Sequence, residues 1–200
     1  MSIISRRSFN AILSALSLSG SFVARAEPVE EKRQNPESFR LSRNGWVPNN
    51  EHLPVLHYRA AVEAGQRDPA SFLEKLFLRN GWPAQWRNGI YGFHHYHSTA
   101  HEVLGIARGE ARVMLGGENA REVVVRAGDV VVLPTGTGHC LLDSSAGLLV
   151  VGAYPPDQNW DLCRSAPSPD AIARMQRLPF PQADPVSGPA GPLTKLWRPL

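Results

Sequence analysis

The sequence predicts a mainly β protein, a small barrel or sandwich with one or two short helices and an extended proline-rich C-terminal arm. Short strand-like runs follow one another between residues 90 and 154 and are separated by glycine-containing turns. Glycine and proline are plentiful, with 17 residues of each, which favours turns over long helices. The 200 residues are 42% hydrophobic and 20% charged, a composition that suits one globular domain.

The strands are predicted from runs of β-branched and aliphatic residues bounded by turn signals. Two short ones come early in the chain, at Phe39–Leu41 and Val55–Tyr58. Five more follow the first histidines: Val103–Ala107, Arg112–Leu115, Val123–Arg126, Val130–Leu133 and Leu148–Tyr154. This unit does not repeat, so the pattern indicates one barrel and not two.

Two helices are predicted from their capping residues. Asp68 is a suitable N-cap before a proline, apolar residues then recur at helical spacing, and Asn80 with the following glycine supplies the end. Ser168 opens a second, shorter helix that runs to Met175. The prolines of 179–199 cannot continue a helix or join a sheet interior, and Phe180, Leu193, Leu196 and Trp197 are predicted to anchor an extended arm on the domain.

The N-terminus has the features of an export signal. Arg6 and Arg7 precede a weakly apolar run, residues 11–23, which ends at the A-x-A sequence of residues 24–26. The segment resembles a twin-arginine signal and predicts a periplasmic or secreted protein. A retained membrane helix is the main alternative, but the run is shorter than the roughly 20 apolar residues of a span. An ordinary amphipathic N-terminal helix is the other.

Charge argues against a nucleic-acid partner. The whole chain carries 21 Lys and Arg against 18 Asp and Glu. Residues 1–26 contain three arginines and no acid, so the mature chain has 21 − 3 = 18 basic against 18 acidic residues. A neutral protein without a basic cluster has no field that would gather phosphates. The two cysteines, Cys140 and Cys163, either pair in an oxidising compartment or remain independent thiols.

Four of the seven histidines lie between residues 94 and 101, and two of them have metal-site spacing. In a strand, residues i and i+2 share a face, so His95 and His97 point the same way while His94 points the other. Two buried imidazoles without partners would cost roughly 1–3 kcal/mol each, a penalty that a bound metal removes. Glu102 follows after a short break, and His139 lies on a later strand that must pass beside the first.

These residues form two long gapped motifs. The first is Gly89-x5-His95-x-His97-x4-Glu102-x6-Gly109, and the second is Gly128-x5-Pro134-x-Gly136-x2-His139 with Asp143 where asparagine is usual. Both resemble the motifs of the cupin superfamily. The resemblance implies a double-stranded β-helix, or jelly-roll, barrel that holds one divalent metal ion through His95, His97, Glu102 and His139. A cupin that has lost its metal is the alternative.

A closer resemblance extends over most of the mature chain. Trp86–Gly89, His94–His97, His101–Gly105, Val151–Pro155 and the tail Asp184–Val186 with Gly191–Leu193 resemble the uncharacterised YjlB-like group of bacterial single-domain cupins. The resemblance implies the fold and the site and leaves the substrate open.

One ligand position is ambiguous. His101 stands where some cupins carry their glutamate, but Glu102 keeps the register of the motif and is preferred as the ligand. His101 and Tyr91 are then candidates for residues that support the ligands, and they are also the only nearby candidates for an acid or base. His52 and His57 lie outside both motifs and are predicted to be exposed or satisfied by protein partners, and Trp46, Trp82 and Trp86 to pack in the core or in a lid.

Three imidazoles and one carboxylate suit Fe(II) or Mn(II), with Ni(II) and Zn(II) as alternatives. The first functional hypothesis is a metal-dependent, dioxygenase-like oxidoreductase acting on a small molecule. The alternatives are an isomerase or lyase, and a non-catalytic module that binds a small ligand or metal. A homodimer is compatible with all of these. The predicted organisation is a signal peptide (1–26), a flexible lead-in (27–38), the barrel domain (39–164) and the C-terminal helix with its arm (165–200).

Overall fold

A computed structural model of the protein describes residues 35–63 and 65–199. The predicted signal peptide with Arg6 and Arg7, and most of the lead-in, lie outside these residues. The described part contains nine strands, β1 Glu37–Phe39, β2 Val55–Tyr58, β3 Ala84–Asn88, β4 Glu102–Arg108, β5 Glu110–Leu115, β6 Arg121–Arg126, β7 Val130–Leu133, β8 His139–Ser144 and β9 Leu149–Ala153. Its helices are α1 Pro69–Arg79, α2 Pro169–Gln176 and α3 Pro192–Leu196. The predicted mainly β class is confirmed.

The strands form two antiparallel sheets. The larger has the order β1-β2-β7-β4-β9-β3, and the smaller has the order β6-β5-β8. Strand β7 illustrates how the larger sheet is buried on both faces. Val131 and Leu133 pack with residues of the smaller sheet in the barrel interior, whereas Val130 and Val132 pack on the opposite face. This alternation follows from the period of two along a strand.

Helix α1 covers the outer face of the larger sheet. Its N-cap Asp68 accepts a hydrogen bond from the backbone N–H of Ser71 at 3.1 Å, and the helix ends at Asn80, as the sequence predicts. Leu73 and Phe77 are fully buried against Gly105 of β4, where an added Cβ would lie 2.8 Å from the Phe77 ring. A glycine is therefore required for this close approach of helix and sheet.

The C-terminal arm packs on the same outer face. Leu193 and Trp197 are buried, and the Trp197 indole donates to the carbonyl oxygen of Pro54 at 2.9 Å. Leu196, predicted as an anchor, is 42% exposed instead. The arm was predicted to be extended, whereas Pro192 begins the short helix α3 within it. Proline is tolerated at the first helical position, whose N–H has no intrahelical partner.

Asp184 fixes the arm to the barrel. Its carboxylate is fully buried and accepts hydrogen bonds from the backbone N–H groups of Val186, Ser187 and Leu193 at 2.8–3.0 Å. The hydroxyl of Tyr58 on β2 also donates to it. One side chain thus satisfies three backbone amides of the arm and one phenol of the sheet.

The strand predictions need three corrections. Strand β1 lies two residues earlier than the expected Phe39–Leu41, because Glu37 to Phe39 pair with β2. Strand β3 was not predicted, and its five residues are mostly exposed, so they lack the apolar alternation that identifies a strand. The first histidine segment has isolated bridges at His95 and Tyr96 instead of a continuous strand.

Both cysteines in the described part are free thiols, Cys140 buried and Cys163 half-buried. Among residues 35–63 and 65–199, no helix combines the length and the apolar character needed to cross a bilayer.

Candidate metal centre

Three histidines meet in the barrel interior. The ligating nitrogens of His95, His97 and His139 all lie within 4.8 Å of one another, and all three residues are buried. His95 and His139 face each other across an antiparallel bridge, with backbone hydrogen bonds of 3.2 and 2.9 Å between them. Their ring centroids are 4.0 Å apart. Residues 44 positions apart in the sequence are therefore brought together by backbone pairing.

The segment that carries His95 and His97 is held on both sides. His95 pairs with the first residue of β8, and Tyr96 pairs with Cys163 in the loop after β9. The side chains still alternate, so that His95 and His97 enter the barrel while Tyr96 points away and contacts Trp46.

Each imidazole is oriented by a backbone carbonyl. The Nδ1 atoms of His95 and His139 lie 3.1 Å from the carbonyl oxygens of Phe93 and Thr137, and Nδ1 of His97 contacts the carbonyl oxygen of Asp161. A carbonyl only accepts, so each Nδ1 carries the proton and leaves the Nε2 lone pair for a ligand. Metal-binding histidines are held in this way.

Glu102 completes the group. It is 3% exposed, and its Oε2 lies 3.3 Å from Nε2 of both His97 and His139. Oε2 has no hydrogen-bond partner of acceptable geometry. Oε1 accepts a 2.6 Å hydrogen bond from the Tyr154 hydroxyl. Burial raises the pKa of Glu102, but the charges of His97 and His139 and the Tyr154 hydrogen bond outweigh it and lower that pKa to about 2.

The histidines differ in their proton affinity. Burial lowers the pKa of His139 to about 3, with His95 adding to the effect, and burial also lowers the pKa of His95. Burial acts in the same direction on His97, but the Glu102 carboxylate outweighs it and raises the pKa of His97. Burial thus favours the neutral form of His95 and His139, whereas the nearby carboxylate favours the protonated form of His97.

His101, which precedes β4, and Glu102, its first residue, point in opposite directions. His101 is 1% exposed, accepts a hydrogen bond from the Thr135 N–H at 3.0 Å and packs 4.7 Å from the Trp197 ring. It therefore contacts the C-terminal arm and not the histidine cluster. His57, also outside the cluster, is buried with its Nε2 3.1 Å from Asp129, and His52 is exposed.

A cavity of about 220 Å³ leads from the surface to the histidines. Tyr91 and Trp160, which are 48% and 37% exposed, stand at its mouth. The full lining is Trp86, Asn88, Gly89, Ile90, Tyr91, His95, His97, Glu102, Leu104, His139, Tyr154 and Trp160. Tyr91, a candidate supporting residue, contacts His95 edge-on at 5.2 Å between ring centroids.

Four residues of the site were missed by the sequence analysis or were given another role. Tyr154 holds Glu102 and accepts a 2.8 Å hydrogen bond from the Trp86 indole, although Trp86 was expected in the core or a lid. Trp160 stacks on Tyr154 with ring centroids 5.9 Å apart, and Asp161 orients His97. Tyr154 ends a predicted strand, which was the one available signal. Trp160 and Asp161 lie in a loop without any pattern.

The arrangement fits a divalent metal ion. Three Nε2 lone pairs and one carboxylate oxygen without a hydrogen bond converge at the bottom of the cavity. Without a cation, this would leave a buried acceptor unsatisfied, which is costly. Nitrogen and oxygen donors of this kind suit Fe, Mn, Ni or Zn and do not discriminate among them.

Comparison with known proteins agrees with the motifs. Residues 88–151 match the family described as the Cupin domain. The "Uncharacterized protein YjlB" of Bacillus subtilis strain 168 is 33% identical over 163 residues, which span 80% of this chain and 96% of that protein.

Solved structures show weaker similarity. A DUF861 family protein of Thermotoga maritima is 23% identical, with a TM-score of 0.28, and the match covers 41% of this chain and 86% of that protein. A deletion mutant of Bacillus subtilis oxalate decarboxylase is 20% identical with a TM-score of 0.34, and the match covers 71% of this chain and 34% of the decarboxylase. At these TM-scores neither structure indicates a reaction.

Proposed function

The chain belongs to the cupin family, as a relative of YjlB, and on that premise we propose that it is a metal-dependent, dioxygenase-like oxidoreductase acting on a small molecule. The observation that carries the proposal is the position of the donors. His95, His97, Glu102 and His139 lie at the inner end of a cavity whose mouth is open between Tyr91 and Trp160. A purely structural metal site is closed to solvent, whereas a catalytic one keeps a route of entry.

The protein's own residues prepare this site. His95 and His139 offer the lone pair of Nε2 to a ligand, because the proton on Nδ1 is held by a backbone carbonyl. Glu102 supplies one negative charge. His97 and His139 contribute most to keeping this carboxylate ionised, and the Tyr154 hydrogen bond fixes its orientation. When a divalent metal is bound, it acts as a Lewis acid and offers open positions to a substrate or to O₂.

Chemistry at the metal is favoured over proton abstraction by a side chain. Apart from the four donors, no histidine, lysine or carboxylate lines the cavity in the part of the chain that the structure describes. The hydroxyl of Tyr154 is already committed to Glu102 and Trp86, and burial with the nearby carboxylate raises its pKa. An isomerase or lyase would need a free base. The second candidate function is therefore non-catalytic binding of a small ligand, which the same open cavity supports.

We further propose that Fe or Mn is the native metal and that the protein is exported. A twin-arginine signal carries folded proteins, so that the barrel closes around a metal before it meets the tighter-binding Cu(II) and Zn(II) outside the cytoplasm. A homodimer remains a prediction.

Metal content tests the site and oxygen consumption tests the reaction. Elemental analysis of the purified mature protein is expected to give close to one metal per chain, and His97→Ala or His139→Ala is expected to lose it. The exposed His52→Ala is the matched control and is expected to retain it. Full metal occupancy in the His97 or His139 variant would contradict the ligand assignment. O₂ uptake by the Fe(II)-loaded protein with a panel of small molecules separates catalysis from binding alone.

A further inference from the structure

The cavity has almost no charge besides the metal donors. Three neutral imidazoles and one carboxylate around a divalent cation leave a net charge of +1. In the described part of the chain, no lysine or arginine is among the lining residues. The neighbouring Arg87 is paired with Glu74 at 2.5 Å, and Arg164 lies over the Phe93 ring. A ligand with one negative charge is thus neutralised, whereas a second charge would be desolvated without a partner.

The walls of the cavity are aromatic planes. Trp86, Tyr91, Tyr154 and Trp160 line it together with Ile90 and Leu104. The hydrogen-bond donors of three of these rings already have partners within the protein. The Trp86 indole donates to Tyr154 at 2.8 Å, Tyr154 donates to Glu102 at 2.6 Å, and the Trp160 indole donates to Gln85 at 3.1 Å. These three rings therefore offer a ligand their faces and not their hydrogen-bonding groups.

The volume limits the size of the ligand. About 220 Å³ is below the roughly 300–1,000 Å³ of sites for drug-sized molecules, and it suits a single ring with few substituents. Four protein donors leave two positions on an octahedral metal, which match two adjacent oxygens of one ligand.

From this charge, shape and size, and resting on the proposed metal site, we propose that the ligand is a small planar ring compound. It carries at most one negative charge and binds the metal through two neighbouring oxygens, as an aromatic enol, a phenol or a hydroxyketone does. Small dicarboxylates are excluded as preferred ligands because their second charge meets no cation in the lining.

Three chelators separate the effect of the ring from that of the charge. Tropolone is a planar ring that binds metals as a monoanion, acetohydroxamate is a monoanion without a ring, and oxalate is a dianion without a ring. Binding to the full chain loaded with Mn(II) is measured by quenching of tryptophan fluorescence and by calorimetry. Each affinity is divided by that of the same chelator for aqueous Mn(II), and metal content is assayed before and after.

On this normalised scale, tropolone is expected to bind about 3- to 10-fold better than acetohydroxamate, which in turn binds better than oxalate. Trp160→Leu is expected to reduce tropolone affinity by a similar factor and to leave the affinities of the other two within about twofold. An equal or better rank for oxalate, or equal losses for all three chelators in Trp160→Leu, overturns the inference alone. Failure of the chain to retain Mn(II) overturns the proposed function and the inference with it.

Discussion

The hydroxyl of Tyr154 donates a 2.6 Å hydrogen bond to Oε1 of Glu102, across 52 residues of sequence. The two side chains become neighbours because β4 and β9 are antiparallel and pair Val103 with Ala153, so that the next residues outward face each other. The carboxylate is therefore fixed through Oε1, and its other oxygen, Oε2, remains directed at the histidines.

Tyr154→Phe is expected to weaken metal binding without abolishing it. Loss of the hydroxyl leaves Glu102 ionised but less firmly oriented, and such supporting contacts are worth about 10- to 100-fold in metal affinity. Competition with a chromophoric chelator measures the change. Tyr91→Phe is the matched control, because Tyr91 lines the mouth and contacts His95 only through its ring. An unchanged affinity in Tyr154→Phe would show that the hydrogen bond does not support the ligand.

Substitutions of the adjacent residues His101 and Glu102 are expected to have opposite effects. Glu102→Gln should lower metal affinity by more than about 100-fold, since it removes a ligand charge and not only a supporting contact. His101→Ala should keep the metal but lower the free energy of unfolding by about 2–4 kcal/mol, because His101 packs on Trp197 and accepts from Thr135. Elemental analysis and urea unfolding give the two readouts. Metal loss in His101→Ala with retention in Glu102→Gln would reverse the assignment.

Metal binding near neutral pH is expected to release one proton. The Glu102 carboxylate outweighs the effect of burial and raises the pKa of His97, so this imidazole holds its proton to a higher pH than a free imidazole does, and the metal competes with that proton. His139 and Glu102, with pKa values of about 3 and 2, carry no proton to release there. Affinity should therefore fall as the pH is lowered from about 7 to 5, by about tenfold per pH unit. Calorimetry in buffers of different ionisation enthalpy counts the protons, and a count of zero would contradict the His97–Glu102 pairing.

Asp184→Ala is expected to release the C-terminal arm. Removing the carboxylate leaves three backbone N–H groups and the Tyr58 hydroxyl without their acceptor, at a cost of about 1–3 kcal/mol for each group that remains buried. The free energy of unfolding should fall by about 3 kcal/mol or more. The exposed Glu118→Ala is the control and should stay within about 0.5 kcal/mol of the wild type. Equal stability of the two variants would show that the arm contributes little.

The export hypothesis concerns residues outside the described part of the chain. Replacing Arg6 and Arg7 by lysine in the full chain should retain the protein in the cytoplasm with its metal bound. Cell fractionation followed by elemental analysis of each fraction measures both. Should the wild-type protein itself remain cytoplasmic, the localisation hypothesis is wrong. If the protein had the same metal content after export as an unfolded chain, the argument that it folds around its metal before export would fail.

The features that the sequence determined by itself depend on neighbouring residues or on motifs with fixed spacing. Asp68 and Asn80 bound helix α1 because capping depends on residues within one turn. The alternation of His95 and His97 needs only the geometry of an extended chain, and the two gapped motifs identify the family and the barrel. Strand β3 lacks such a signal, since three of its five residues are exposed, and α3 was missed because a proline that breaks a helix interior also begins one.

Only the tertiary structure decided which side chains surround the four proposed metal donors. Tyr154 reaches Glu102 through the register of β4 and β9, and Trp160 and Asp161 reach His97 from the loop that follows β9. Register and loop path are set by the packing of the whole barrel, and no short window of sequence contains the information. The lining of the cavity is therefore a property of the closed barrel, whereas the proposed metal donors can be predicted from the motifs of the chain.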